Sequence, residues 1–121
     1  MPMTLYGIPN CDTVKRARRW LAEQGIEAAF HDFKKAGVPP VGLDRWIEAA
    51  DWERLLNRKG TAWRKLDEST RAAVVDAASA RAVMLEHASV IKRPVIEWGD
   101  GIVTVGFDLA QWPPRRTVHA T

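Results

Sequence analysis

The sequence predicts an α/β fold on a small mixed sheet, in the order β-α-β, helical insertion, β-hairpin and short α-helix. Three observations carry this. Two β-prone runs flank a helical repeat, and all three end by Phe33. Two later β-rich runs are joined by Gly99-Asp100-Gly101, and the stretch between these regions repeats at helical spacing. A chain of 121 residues is one domain's worth, long enough to bury roughly 70% of its unfolded surface. We therefore expect a single domain over residues 1–121 with the insertion at about 38–90.

Met3-Thr4-Leu5-Tyr6-Gly7-Ile8 reads as a short strand, ended by the turn residues Pro9-Asn10. After Cys11 the period changes. Val14, Ala17 and Leu21 fall on one face of a helix with Trp20 beside them, while Lys15, Arg16, Arg18, Arg19 and Glu23 take the opposite, solvated face. Gly25 supplies a left-handed stop. Ile26 to Phe33 alternates as a second strand, and so short a β-α-β unit favours a parallel pair with a right-handed crossover.

Val38-Pro39-Pro40 breaks the chain, after which Leu43, Trp46, Ile47 and Ala50 have helical spacing and Trp52, Leu55 and Leu56 continue as a short turn. Asn57-Arg58-Lys59-Gly60-Thr61 is a polar loop. Asp67 is an N-cap for a helix through Ala78, and Ala80 to Glu86 forms another. Val90 to Trp98 and Ile102 to Gly106 then make an antiparallel hairpin, with Pro94 at the beginning or edge of its strand because proline cannot donate to a ladder. Phe107 onward begins like a short helix and frays at Pro113-Pro114-Arg115-Arg116.

The chemistry centres on Cys11, the one cysteine in the chain, which excludes an intrachain disulfide and a cysteine-cluster zinc site. A thiol between a strand end and a helix start meets the unpaired N–H groups of the first turn and the positive end of the helix dipole, both of which favour the thiolate. An ordinary thiol, with a pKa of about 8.5, is only slightly ionised at neutral pH. The Asp12, Thr13 and Val14 amides are the donors in reach, and Lys15 and Arg16 add positive potential if they fold back. A dithiol motif needs a second sulfur where Val14 stands, and a cysteine phosphatase loop needs arginine where Ala17 stands. His31, His87 and His119 carry no signature of a Cys-His pair. Monothiol chemistry survives, with Cys11 forming a mixed disulfide to an external thiol.

Three separated segments, Tyr6-Gly7-Ile8-Pro9-Asn10-Cys11-Asp12-Thr13, Leu55-Leu56-Asn57-Arg58-Lys59-Gly60 and His87-Ala88-Ser89-Val90-Ile91-Lys92-Arg93-Pro94-Val95, resemble the ArsC/Spx family and, within it, the YffB-like branch. The resemblance runs from Met3 to about Leu109 and implies a thioredoxin-like fold with a helical insertion. It implies that Cys11 is the nucleophile, that Arg58 and Arg93 line an anion site, and that Pro94 follows a cis peptide bond facing the cysteine. Arginine's planar fork suits an oxyanion or a glutathione carboxylate. It further implies a glutathione-dependent thiol reductase, with glutathione as cosubstrate and glutaredoxin as a second partner; with the thiol at the helix start, Asn10 and the Asp12 and Thr13 amides are expected to orient the sulfur. Two other readings belong to the same family: arsenate reduction coupled to glutathione and glutaredoxin, and an Spx-like regulator that binds RNA polymerase without catalysis. Arsenate reductases of the family carry a third arginine after the hairpin, where this chain has Gly106-Phe107, and Spx-type regulators show Cys-x-x-Cys, which Val14 breaks.

Outside the site, Trp20, Trp46 and Trp52 sit at apolar helical positions and are expected in the core, not in a stacking platform for bases or sugars. Arg58 taken alone is a solvated loop charge; His31 and His87 are hydrogen-bond formers. No metal constellation is present. Hydrophobic residues at 46% and charged residues at 27% match a folded, water-soluble chain. Eighteen basic against fifteen acidic side chains give +3, with no nucleic-acid footprint. The amino terminus lacks a signal-peptide layout and no apolar run approaches bilayer length. We expect a cytoplasmic monomer without membrane contact.

Overall fold

The computed structural model describes residues 3–110 and 112, which fall into two compact units: the chain up to Asp32 together with the chain from Arg93, and Phe33–Lys92.

The first unit holds strands β1 (Thr4–Gly7), β2 (Ala29–Asp32), β3 (Val95–Glu97) and β4 (Val103–Val105), with helix α1 (Asp12–Glu23) between β1 and β2. The sheet order is β2-β1-β3-β4. β1 and β2 are parallel, with Leu5 opposite Phe30, as the short β-α-β unit predicts. β1–β3 and β3–β4 are antiparallel, so the sheet is mixed. Val14, Ala17 and Leu21 of α1 pack with Leu5, Ile96, Ile26 and Trp98 in one apolar cluster. Burying a Val or Leu side chain of this kind contributes about 1.5–3 kcal/mol, enough to seat the helix on the sheet.

The ends of α1 follow local chemistry. At its carboxyl end Gly25, with φ of 72°, lets its N–H reach the Ala22 carbonyl (3.0 Å) while the Ile26 N–H reaches Leu21 (2.9 Å). This left-handed cap draws Ile26 against Leu21 in the core, so the second strand begins at Ala29 and not at Ile26. The hairpin is also shorter than expected. Ala88–Val90 is a 3-10 turn, and β3 starts only after the cis Arg93–Pro94 peptide. The β-prone run before Pro94 is used in the other unit.

That unit is helical: α2 (Phe33–Ala36), α3 (Pro40–Ala50), α4 (Trp52–Leu55), α5 (Thr61–Arg64), α6 (Glu68–Ala72) and α7 (Ala77–Glu86). Helices α3 to α7 lie within residues 38–90, and α2 precedes them. Proline at the first position of α3 forfeits no helical bond. Leu43, Trp46, Leu55, Met84 and Ile91 are fully buried and form its apolar interior. The helix expected from Asp67 through Ala78 is two helices. Asp67 does cap α6, but Asp76 starts α7 with a reciprocal box: the Ser79 N–H donates to Asp76 Oδ1 (2.9 Å) and the Asp76 N–H donates to Ser79 Oγ (3.1 Å). A bridge pairs Leu56 with Ile91, closed by the Lys92 N–H on Leu55 O (2.7 Å) and the Asn57 N–H on Val90 O (2.8 Å).

The short helix expected after the hairpin is not formed over Phe107–Ala110, which is a bend and a turn; Gln111 and the Pro113-Pro114-Arg115-Arg116 tail lie outside the described residues, as does His119. Among the described residues no helix is long and apolar enough to cross a membrane.

Candidate active site

β1 ends at Gly7, the exposed turn Pro9-Asn10 reverses the chain, and Cys11 becomes the N-cap of α1 with extended backbone angles (φ −102°, ψ 124°). Its carbonyl takes the first helical bond from the Lys15 N–H (2.9 Å). Gly7 makes this join possible. A Cβ there would stand 2.8 Å from Val14 Cγ2, inside van der Waals contact, so only glycine lets the first turn of α1 lie so close to the strand end. Sequence reasoning passed over Gly7, although a glycine interrupting a strand-like run is itself a sign of close backbone approach.

The Cys11 side chain is half-buried against the edge of the apolar cluster. That partial burial pushes its thiol up, but the Val14 N–H, the Arg93 guanidinium and the Thr13 N–H outweigh it, and the net pKa lies below the ordinary thiol value. Cys11 makes no side-chain cap bond at the start of α1, yet the Val14 and Thr13 N–H groups favour the charged form of its sulfur. Arg93 acts both as a hydrogen-bond donor and as a full charge.

Arg93 is half-buried and precedes the fully buried Pro94 across a cis peptide bond, as the resemblance implies. The Pro94 carbonyl accepts from the Gly106 N–H (2.8 Å), which fixes this turn to the end of β4. One unit therefore brings together Cys11, Thr13, Arg93 and Pro94. Asn10 and the Asp12 side chain are exposed, and the donors that act on the sulfur are the Val14 and Thr13 amides.

Arg58 belongs to the other unit. It is exposed on a tight turn closed by the Gly60 N–H on Asn57 O (3.2 Å), with its guanidinium 5.3 Å over the Trp52 ring. Trp52 is half-buried, so only its inner part serves the core expected for it; Trp46 is wholly buried, and Trp20 is half-buried, edge-on to Trp112. In Gly106-Phe107, where the resemblance implies a third arginine in arsenate reductases, Phe107 carries the Arg16 guanidinium 5.4 Å above its ring. Among the described residues no three His, Cys, Asp or Glu side chains cluster to hold a metal.

The sequence profile of the ArsC family matches residues 6–113. The chain belongs to the ArsC family. An uncharacterized protein of Haemophilus influenzae is 40% identical over 106 residues, covering 88% of this chain and 91% of that one. The solved structure of a protein named YFFB is similar with a TM-score of 0.82 at 46% identity, over 88% of this chain and 91% of that one. A structure described as an arsenate reductase (ArsC) related protein from Brucella melitensis gives 0.72 at 54% identity, over 92% and 91% of the two chains. An arsenate reductase from Vibrio cholerae, at 18% identity and a TM-score of 0.73 over 100% of this chain and 98% of that one, shares the fold. The ArsC-family fold of this chain is thioredoxin-like, with its helical insertion between β2 and β3.

Proposed function

We propose that this ArsC-family chain is a monothiol oxidoreductase that uses glutathione to reduce an oxidised thiol substrate through Cys11. The observation that supports it most is the juxtaposition of a lone, half-buried thiol with the first-turn amides of α1 and the Arg93 guanidinium. A thiol whose ionisation is favoured in this way becomes a better nucleophile and a better leaving group in thiol-disulfide exchange.

In the first step Cys11 Sγ attacks one sulfur of a substrate disulfide. A new disulfide forms to Cys11, the substrate S–S bond breaks, and the released thiolate takes a proton from water. A glutathione thiolate then attacks the mixed disulfide and returns Cys11 as thiolate. Where the first adduct carries glutathione, this second step yields glutathione disulfide. Arg93 serves both steps by stabilising the thiolate and offering its fork to a glutathione carboxylate. The family resemblance also implies Arg58 as an anion ligand, and in its own unit the Trp52 ring limits the freedom of its guanidinium.

Incubating the protein with glutathione disulfide and weighing it intact tests this. The expected result is one glutathione on Cys11, removed by reduced glutathione and absent in Cys11→Ser. A Cys11 that is modified no faster than the same residue in a short peptide contradicts it. Reduction of arsenate is a second reading, favoured by the similarity to the Brucella melitensis protein. Arsenate turnover in a glutathione- and glutaredoxin-coupled assay decides for it, and Gly106-Phe107 in place of a third arginine weighs toward no turnover.

A further inference from the structure

Lys15, Arg16, Arg18 and Arg19 put four exposed cations within five residues of α1. At 3.6 residues per turn they cover an arc of roughly 160° around the helix, with Lys15 and Arg19 in its centre. Arg18 rests 4.1 Å over the Phe30 ring at one border of the arc and Arg16 lies 5.4 Å over Phe107 at the other. Among the described residues none of the four forms a salt bridge, although Asp12 and Glu23 lie on the same helix.

This arrangement is locally unfavourable. Lys15 and Arg19 repel at helical i, i+4 spacing, and the four cations crowd the middle of α1 while its last turn, where the helix dipole favours positive charge, holds none. A solvated face needs no such concentration. The patch begins about one helical turn beyond Cys11, and its charges sit about 6–12 Å from Cys11 along the axis, comparable with the screening length at physiological salt of about 8 Å.

We propose that this face of α1 steers anionic disulfides to Cys11, so that the preferred oxidised partner is an acidic peptide or an acidic segment of a protein. This rests on the thiol-disulfide reading above and names its substrate class. The ring-backed guanidinium groups keep their N–H edges for carboxylates, and the four charges match a short acidic run. Nucleic acid fits less well, because the chain's excess of +3 is small and the cations lie on little more than one helical turn. The step itself is the exchange already written: the Cys11–S bond forms, the peptide S–S bond breaks, and the leaving thiolate is protonated by water.

The test uses three peptide disulfides of equal length, flanking the cystine with Glu, Ser or Lys, and measures the second-order rate of mixed-disulfide formation at Cys11 in low and high salt. The Glu peptide is expected to react about tenfold or more faster than the Ser peptide at low salt, the Lys peptide slower, and the three to converge at high salt. In Arg18→Gln/Arg19→Gln the Glu-to-Ser ratio falls toward one; Arg18→Lys/Arg19→Lys retains it, and Arg18→Glu/Arg19→Glu inverts the preference. Equal rates for Glu and Ser peptides on the unmodified protein, or a ratio unmoved by the Gln pair, overturn the proposal. So does a single-stranded oligonucleotide that binds the patch without slowing the Glu peptide, which assigns the face to nucleic acid. If instead the Ser peptide reacts no faster than with a free cysteine peptide, the activated thiol fails, and the ratio still reports on steering.

Discussion

Replacing Arg93 by Gln removes the full charge beside Cys11 but leaves the Val14 and Thr13 amides in place. The thiol pKa is then expected to rise and the iodoacetamide rate at neutral pH to fall several-fold, a tenfold change in the ionisation constant being worth about 1.4 kcal/mol of thiolate stabilisation. A pH series of alkylation rates checks it. A variant with an unchanged profile shows that the amides suffice. Cys11 itself was legible, because a turn dipeptide and the onset of a helical repeat bracket it. Arg93 was not legible from spacing, since its partner lies at the far end of the chain and only the family resemblance joined them. Phe107 and Trp52 each take an arginine onto the ring, which a composition or period argument does not reveal.

Among the elements, α1 is seated by its close approach to β1. Gly7→Ala forces the Val14 methyl to move and is expected to destabilise the protein by about 1–3 kcal/mol in urea unfolding; a neutral result shows that Val14 yields freely. The start of α7 depends on pH. Asp76 accepts from the Ser79 N–H, which holds its carboxyl below the usual range. A carboxylate depressed in the fold stabilises it above the unfolded value, and this contribution disappears as pH falls through the folded value. Asp76→Asn should lose that acid-side dependence, seen as a flatter plot of urea midpoint against pH. Apolar periodicity showed that helices fill this region but not that they break before Asp76, because the break is set by a side-chain to backbone exchange. The β-prone stretch ahead of Pro94 misled for a related reason: pairing partners, not propensity, decide where β3 begins.

From β1 to β4 the described residues follow the predicted order of elements, with a parallel pair followed by antiparallel strands around a helical stretch, while the closing helix expected after β4 is not formed over Phe107–Ala110. That order was legible because hydrophobic period and turn residues change together at each boundary. The division into two compact units was not, since it depends on which apolar faces meet. Trp46, wholly buried and 6.1 Å from the Phe33 ring, anchors the Phe33–Lys92 unit. Trp46→Ala is expected to cost about 3–5 kcal/mol, with amide exchange accelerated across that unit; an unaltered exchange pattern contradicts the assignment. The functional reading requires that the fold, and not the local sequence, hold Cys11 as a thiolate. Alkylation rate against pH, recorded for the folded protein and for the same chain in concentrated urea, separates the two. The folded protein is expected to gain reactivity at a distinctly lower pH than the unfolded chain. Coincident profiles, or a folded thiol that ionises at the higher pH, contradict it.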